Sequence, residues 1–183
     1  MQAYGAEIVA ARLLMVPTME LETLLRRCGT LEQRAAALYR DWAAGARERP
    51  SFCNLWTALA REEEEHARSL RVALRSPAPS SRGCLDVTGW EDAIAAVEER
   101  LIAAEGLGES STSDQLLAAA LELEMTELET MRRALVTLAG RPQRNGGDHA
   151  ADLAREAIRL SPDPHVALLA SLLLAETQVR QSA

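Results

Sequence analysis

The sequence predicts an all-α protein, and three observations support this fold class. The chain of 183 residues is 48% hydrophobic but only 3% aromatic, so its core must be built mainly from Ala, Leu, Val and Ile. Ala and Leu are strong helix formers, and the β-branched and aromatic runs typical of strands are missing. Pro and Gly divide the sequence into segments of helical length. A chain of this length suits one domain whose core needs neither disulfides nor metal for stability.

Two long helices are predicted in the first half of the chain. Thr18 is the predicted N-cap of a helix that runs to about Ala44. After the turn GARERP, Ser51 caps a second helix that ends near Arg75. The loop SPAPSSRGCLDVTG, residues 76–89, is read as a crossover between two helical hairpins.

Four further helices are predicted after this loop, separated by the segments GLGESSTS, GRPQRNGGD and SPDP. Their approximate bounds are Trp90 to Glu105, Asp114 to Ala139, Ala150 to Leu160, and Pro164 to Gln181. The chain is therefore divided into an N-terminal extension (1–17), a four-helix bundle (18–139) and a C-terminal helical extension (140–183).

The charge balance argues against nucleic acid as a partner. The chain carries 20 basic and 27 acidic residues, which gives a formal charge of −7, and every basic residue is Arg. Nucleic-acid binders need a basic surface to displace counterions. The cysteines Cys28, Cys53 and Cys84 are odd in number and form no CxxC pair, so we expect reduced thiols.

The hydrophobic segments predict a soluble, cytoplasmic protein without a membrane partner. Glu7 and Arg12 interrupt the apolar region that a signal peptide would need. The longest apolar run, VALLASLLLA, has ten residues and is too short to span a bilayer. We expect the helix that contains it to pack on the bundle or to form a homodimer interface.

The second predicted helix contains the stretch LWTALAREEEEHARSLRVAL, in which four glutamates precede a histidine. Side chains three or four positions apart share a face of a helix. Glu63 and His66 fall on the apolar face, whereas Glu64 and Glu65 project elsewhere and are predicted to be solvated. The rest of the apolar face is formed by Trp56, Leu59, Leu70 and Leu74.

The first helix carries a carboxylate in the same setting. Glu32 lies within an apolar face that includes Leu31, Ala35 and Leu38. Buried carboxylates on facing helices need a cation or shared protons, because an unpartnered buried charge is costly. Glu32 lies twelve residues before Ala44, and Glu63 lies twelve after Ser51. An antiparallel hairpin would place both carboxylates at the same height.

The second hairpin offers a less regular set of carboxylates. A shift of 61 residues lays the Glu63 helix over ALELEMTELETMRRAL, so that Glu63 matches Glu124 and His66 matches Glu127. On the third helix, Glu98 shares a face with Ile94 and Leu101. These similarities suggest two related hairpins in one bundle.

Glu98 and Glu124 would lie at the same height along the bundle only if the third helix were longer than predicted. The third helix would have to continue through Gly106 and Gly108 to about Glu109, and glycine disfavours a helix interior by about 1 kcal/mol per residue. The alternative ligands on this hairpin are Glu122 and Asp92.

These motifs together resemble a known family. The segment LEQRAAALYRDWA, with Glu32 seven residues before Tyr39, precedes the Glu-x-x-His of Glu63 and His66. This combination resembles the rubrerythrin branch of the ferritin-like superfamily over roughly residues 19–139, and the likeness is specific in the first hairpin. It implies a four-helix bundle with a long crossover and two irons, held by one Glu from each of two helices and a Glu-x-x-His from each of the others.

The resemblance also implies which residues hold the metal. One half of the site would be Glu32, Glu63 and His66, and the other half would be Glu98, Glu124 and Glu127. Glu127 stands where a second histidine often occurs in the family. Three scattered cysteines cannot form the four-thiolate iron site of a rubredoxin module, so the electron donor would be a separate molecule.

The implied function is a di-iron oxidoreductase that acts on peroxide or on Fe(II) and dioxygen. Carboxylates and an imidazole suit iron, and manganese is the alternative metal. Tyr39 would hydrogen-bond a ligand or pass an electron, or would serve as a core residue. Two other interpretations remain: a half-site completed across a homodimer, and a metal-free ferritin-like bundle that acts as a binding or scaffold module.

Overall fold

A computed structural model describes residues 18–75, 90–108, 110–126 and 149–182. Six helices account for most of this part of the chain, and it contains no strand, so the all-α prediction is confirmed. The helices are α1 (Thr18–Gly45), α2 (Pro50–Arg75), α3 (Trp90–Glu105), α4 (Ser113–Glu124), α5 (His149–Leu160) and α6 (Pro164–Ser182). The N-terminal extension and the predicted crossover and linker loops lie outside the described residues. None of the described helices combines the length and apolarity that crossing a membrane requires.

Helices α1 and α2 form an antiparallel hairpin, and this hairpin carries the candidate site. The turn closes where the amide of Ala46 donates to the carbonyl of Trp42 and the amide of Arg49 donates to that of Ala46. Pro50 begins α2, a position where its missing N–H costs nothing. Leu31, Ala35 and Tyr39 of α1 are buried, as are Trp56, Leu59 and Leu70 of α2. Burial of each large apolar side chain contributes about 1.5–3 kcal/mol.

Helix α3 runs parallel to α1. Arg27 of α1 pairs with Glu98 of α3 at 3.3 Å, and Arg34 pairs with Glu105 at 2.8 Å. From the first pair to the second, the residue number rises by seven on α1 and also by seven on α3, which only parallel helices allow. Helix α3 is therefore antiparallel to α2. A crossover that returned along the bundle would instead make α2 and α3 parallel, so the helix directions differ from those of the crossover bundle that the resemblance implied.

Helix α3 ends at Glu105 and does not continue through the glycines. The amide of Gly106 donates to the carbonyl of Ile102, and the amide of Leu107 then donates to that of Ala104, three residues earlier. This tighter turn closes the helix. The extension that would bring Glu98 to the height of Glu124 is not formed.

Helix α4 begins at a capping box and is shorter than predicted. The Thr112 hydroxyl accepts from the amide of Gln115, whose side chain accepts from the amide of Thr112. The helix ends at Glu124 rather than near Ala139, because the amide of Thr126 donates three residues back to Leu123. The remainder of the predicted helix lies outside the described residues.

The contacts at the two ends of α4 show its direction. Ser113 accepts a hydrogen bond from Arg49 in the α1–α2 turn, and Glu124 contacts Tyr39, further back along α1. Helix α4 is therefore antiparallel to α1. The four helices α1 to α4 alternate in direction, and Glu124 lies beside the hairpin.

Helices α5 and α6 form a hairpin that packs against α4. Asp163 caps α6, since its side chain accepts from the amides of His165 at 2.7 Å and Val166 at 3.3 Å. The Ser161 hydroxyl donates to Asp114 of α4 at 2.5 Å. The predicted break at SPDP is confirmed. The inner face of α6 is buried, and its outer face exposes three large apolar side chains, Leu168, Leu172 and Val179.

Candidate metal centre

The structure brings Glu32, Glu63 and His66 together between α1 and α2. One ligand atom from each residue lies within 4.8 Å of the others. His66 Nδ1 is 3.1 Å from Glu63 Oε2 and 3.7 Å from Glu32 Oε2. Glu32 is 1% exposed and Glu63 is 4% exposed, whereas the His66 side chain is 14% exposed. The cluster is therefore buried on the carboxylate side and reaches solvent through the imidazole.

The hairpin geometry explains why these three residues meet. Glu63 and His66 are one helical turn apart on α2, so they share a face. Glu32 and Glu63 lie at similar distances from the α1–α2 turn, and antiparallel packing brings them to one height. Among the described residues no other group of three such side chains has this geometry.

The pKa values of the cluster reflect its burial and its close charges. Burial, followed by the negative charge of Glu32, raises the pKa of Glu63 to about 8. Burial alone would lower the pKa of His66, but hydrogen bonds with Glu32 and Glu63 outweigh it and raise that pKa to about 10. Without a metal ion, the cluster therefore holds protons at neutral pH. A bound cation would take their place.

One carboxylate oxygen of the cluster is unsatisfied. Glu32 Oε1 is buried and makes no hydrogen bond with any described residue. A buried polar atom without a partner costs about 1–3 kcal/mol, so native structures rarely keep one without a reason. A cation beside Glu32 would satisfy this oxygen, and so would a proton shared with Glu63 in the metal-free protein.

The three side chains fit a transition-metal ion. Metal–ligand bonds to nitrogen and carboxylate oxygen are about 2.0–2.2 Å long, so two ligand atoms on one ion lie at most about 4.4 Å apart. The observed cluster would need to contract only slightly. Two carboxylates and one imidazole suit iron(II), manganese(II) or zinc(II), and three protein ligands leave coordination positions for water or substrate.

Tyr39 of α1 contacts Glu124 of α4. The tyrosine is fully buried, and its hydroxyl donates to Glu124 Oε1 at 3.3 Å. Burial, followed by the negative charges of Glu124 and Glu63, raises the pKa of Tyr39 well above its usual value. The phenol therefore stays protonated.

The remaining predicted ligands are placed differently. Glu98 is 38% exposed at its side chain and pairs with Arg27, outside the cluster. Of the alternative ligands, Glu122 pairs with Arg100 at 2.8 Å and Asp92 is exposed. Glu127 lies outside the described residues. The structure therefore assembles Glu32, Glu63 and His66, with Glu124 beside Tyr39.

The neighbouring glutamates of α2 face the surface. Glu64 pairs with Arg40 of α1, and Glu65 pairs with Arg68 on its own helix. Their side chains are about half exposed or more, at 44% and 59%, so the prediction that they are solvated is confirmed.

Cys28 lies one turn before Glu32 on α1. The thiol is buried, and this burial, followed by the charge of Glu32, raises its pKa to about 12. A thiol in this state is a poor nucleophile and a poor metal ligand. Cys28 and Cys53 are both free, which agrees with the expectation of reduced thiols.

Sequence reasoning missed an aromatic group beside the cluster. Trp42 and Trp56 contact each other and Tyr39, and Phe52 contacts Trp56. The available signal was the concentration of aromatic residues within 39–56 in a chain that is only 3% aromatic. The contact between Tyr39 and Glu124 had no such signal, because it depends on where α4 lies.

Comparisons of the chain with protein-family models, with curated proteins and with solved structures gave no match.

Proposed function

We propose that the protein binds a divalent transition-metal ion at Glu32, Glu63 and His66 and acts as a metal-dependent oxidoreductase. The observation that carries this proposal is the buried Glu–Glu–His cluster, in which one Glu32 oxygen makes no hydrogen bond with a described residue. Buried carboxylates without a cation are costly, and the cluster is open to solvent only at His66.

The ligand types favour iron or manganese. Both metals accept oxygen and nitrogen ligands, and both change oxidation state within such sites. A bound redox-active ion with open positions would supply reactivity towards hydrogen peroxide or dioxygen. The buried carboxylates would hold the ion, and His66 would border the side from which a small oxidant enters. We also propose a cytoplasmic location and a separate electron donor.

A second ion would need more than these three ligands. Glu124 is a further predicted ligand, and it would have to exchange its hydrogen bond with Tyr39 for a metal bond. Glu98 would have to leave Arg27. The proposal of a di-iron centre thus depends on these rearrangements and on Glu127, and a relationship to the ferritin-like superfamily rests on the α1–α2 hairpin alone.

Metal content tests the proposal most directly. The full chain is produced in iron- or manganese-supplemented cells, purified without chelator, and analysed by inductively coupled plasma mass spectrometry. We expect bound metal in the wild type and none in Glu63→Gln/His66→Ala. Reloading with Mn(II) at about 100 times its dissociation constant should raise the free energy of unfolding by about 2.7 kcal/mol.

A matched control separates the site from the charge run. Glu65→Gln changes an adjacent glutamate that faces solvent, and it should bind as much metal as the wild type. About one ion per chain would support a single-ion site, and about two would support a di-iron centre. Equal metal in the wild type and in Glu63→Gln/His66→Ala would contradict the proposed site.

Two other functions are distinguished by the same measurement. One ion per dimer, lost on dissociation, would favour a half-site shared by two copies of the chain. Absence of iron and manganese from the wild type, before and after reloading, would favour a metal-free scaffold. The search would then turn to protein partners.

A further inference from the structure

The aromatic side chains of the hairpin form a continuous group of rings. The Tyr39 ring lies parallel to that of Trp56, with centroids 6.1 Å apart and 8° between the planes. Trp56 meets Trp42 edge to face at 5.1 Å, and Trp42 meets Tyr39 at 5.6 Å. Such contacts stabilise the core, and they also bring three oxidisable rings into van der Waals range. Electron transfer between rings in contact is fast compared with most chemistry.

Tyr39 and Trp42 have different surroundings. Tyr39 is close enough to the carboxylate cluster for the charges of Glu63 and Glu32 to act on it, and its hydroxyl donates to Glu124, which is a proton acceptor at 3.3 Å. Trp42 lies under the α1–α2 turn and is 7% exposed. Its indole N–H is buried and has no hydrogen-bond partner among the described residues. A proton can therefore leave Tyr39 readily, whereas it cannot leave Trp42 by this route.

We propose that Trp42 and Tyr39, whose rings contact each other directly, form a relay that carries one electron from the α1–α2 turn to the metal site. The relay rests on the proposed function, because the site must hold an oxidant. Hydrogen peroxide is that oxidant: its O–O bond breaks, and it takes two electrons, and two protons from the solvent, to give two waters. A bound Fe(II) would supply one electron, and the protein supplies the other.

The protein's electron moves in two balanced steps. Tyr39 gives an electron to the site and its phenolic proton to Glu124. Trp42 then gives an electron to the Tyr39 radical, which takes its proton back from Glu124. The oxidised ring is then Trp42, which keeps its N–H proton and is the most exposed of the three rings.

Peptide mass spectrometry after a single exposure to peroxide tests the relay. The full chain is loaded anaerobically with Fe(II), its iron content is measured, and it receives one equivalent of hydrogen peroxide without reductant. Trp90, the first residue of α3, lies outside the aromatic group and is more exposed than Trp42, so it reports oxidation by radicals in bulk solution. We expect more oxidation at Trp42 than at Trp90, and a tryptophan radical by electron paramagnetic resonance.

One variant interrupts the relay and a second serves as its control. Tyr39→Phe removes the hydroxyl and keeps the ring, so the oxidation of Trp42 should fall to the level at Trp90. Trp56→Phe changes a neighbouring ring but leaves the direct contact between Tyr39 and Trp42, so Trp42 should be oxidised as in the wild type. Both variants should bind iron like the wild type. Iron content and circular dichroism verify that each variant retains the site and the fold.

The outcomes separate the relay from the proposed function. A wild type that binds iron but oxidises Trp42 no more than Trp90 would overturn the relay and leave the metal site standing. Trp42 oxidation unchanged by Tyr39→Phe would do the same. A wild type that binds no iron would overturn both.

Discussion

Glu63 lies in an apolar interface where a carboxylate is unfavourable unless it shares a proton or a cation. The structure places Glu32 and His66 beside it, and the raised pKa values of Glu63 and His66 follow from this burial and from the close charges. The metal-free cluster therefore holds protons that solvent-exposed groups would release. The same protons compete with a metal ion for the same atoms.

This proton binding makes the stability of the metal-free protein depend on pH. The pKa of Glu63 rises from 4.5 to about 8 on folding, and that of His66 rises from 6.5 to about 10. Both folded-state pKa values exceed the unfolded ones. The stabilisation that each bound proton provides is therefore complete below the unfolded pKa, and it is lost as pH rises through the folded pKa. Between pH 6.5 and pH 8 both losses act together, and each proton contributes a slope of about 1.4 kcal/mol per pH unit.

Urea unfolding in EDTA measures this dependence. We expect the free energy of unfolding to fall from pH 6.5 to pH 8, and to fall less steeply in Glu63→Gln, which cannot release that proton. Saturating Mn(II) should oppose the fall, since the ion binds the deprotonated side chains. A metal-free stability that stays constant or rises over this range would show that the cluster is not protonated as described.

At the scale of helices, the hairpins depend on short polar motifs at their ends. Asp163 and Pro164 start α6, and Thr112 with Gln115 starts α4. These motifs satisfy amides that a helix cannot satisfy by itself. They also hold neighbouring helices, because Ser161 in the α5–α6 turn bonds to Asp114 of α4. The chain position of each helix end therefore follows from local chemistry.

Removal of the α6 cap should have a measurable cost. Asp163→Ala leaves the amides of His165 and Val166 without their acceptor, so we expect the free energy of unfolding to fall by about 1 kcal/mol. Chemical denaturation of the metal-free protein would measure the change. The control is Asp41→Ala, which removes an exposed carboxylate from α1 and should alter stability by less than about 0.5 kcal/mol. Equal effects of both substitutions would contradict the capping role.

At the scale of the whole molecule, α6 presents apolar residues on two sides. Its inner face packs on the protein, and its outer α6 stripe consists of Leu168, Leu172 and Val179, which are 57%, 48% and 70% exposed. With Ala175 between them, these positions have the alternating four- and three-residue spacing of a helix that packs against another helix. The stripe contains no charged residue, so a second copy could approach it without repulsion.

We therefore expect a homodimer through the outer α6 stripe. Light scattering coupled to size-exclusion chromatography should give a dimer mass for the wild type and a lower mass for Leu172→Glu. Ile102→Glu adds the same charge at an exposed apolar residue of α3 and should leave the mass unchanged. A monomeric wild type would exclude this interface at the concentration used.

The sequence was sufficient for the all-α fold class, for most helix ends and for the grouping of Glu32, Glu63 and His66. Helix periodicity placed Glu63 and His66 on the inner face of α2, and counting from the α1–α2 turn matched them with Glu32. Such inferences succeed because they depend on positions within one helix, or on two helices joined by a short turn. The local geometry of the chain then leaves few alternatives.

The arrangement beyond the first hairpin was decided only by tertiary packing. Whether α3 runs along or against α2 depends on which faces bury best. The pairs Arg27–Glu98 and Arg34–Glu105 show that α3 runs parallel to α1, and in this arrangement Glu98 meets Arg27 rather than the cluster. The contact of Glu124 with Tyr39 likewise depends on where α4 lies. Local periodicity determines which side chains a helix turns inward, but the residues they meet are determined by packing between segments far apart in the chain.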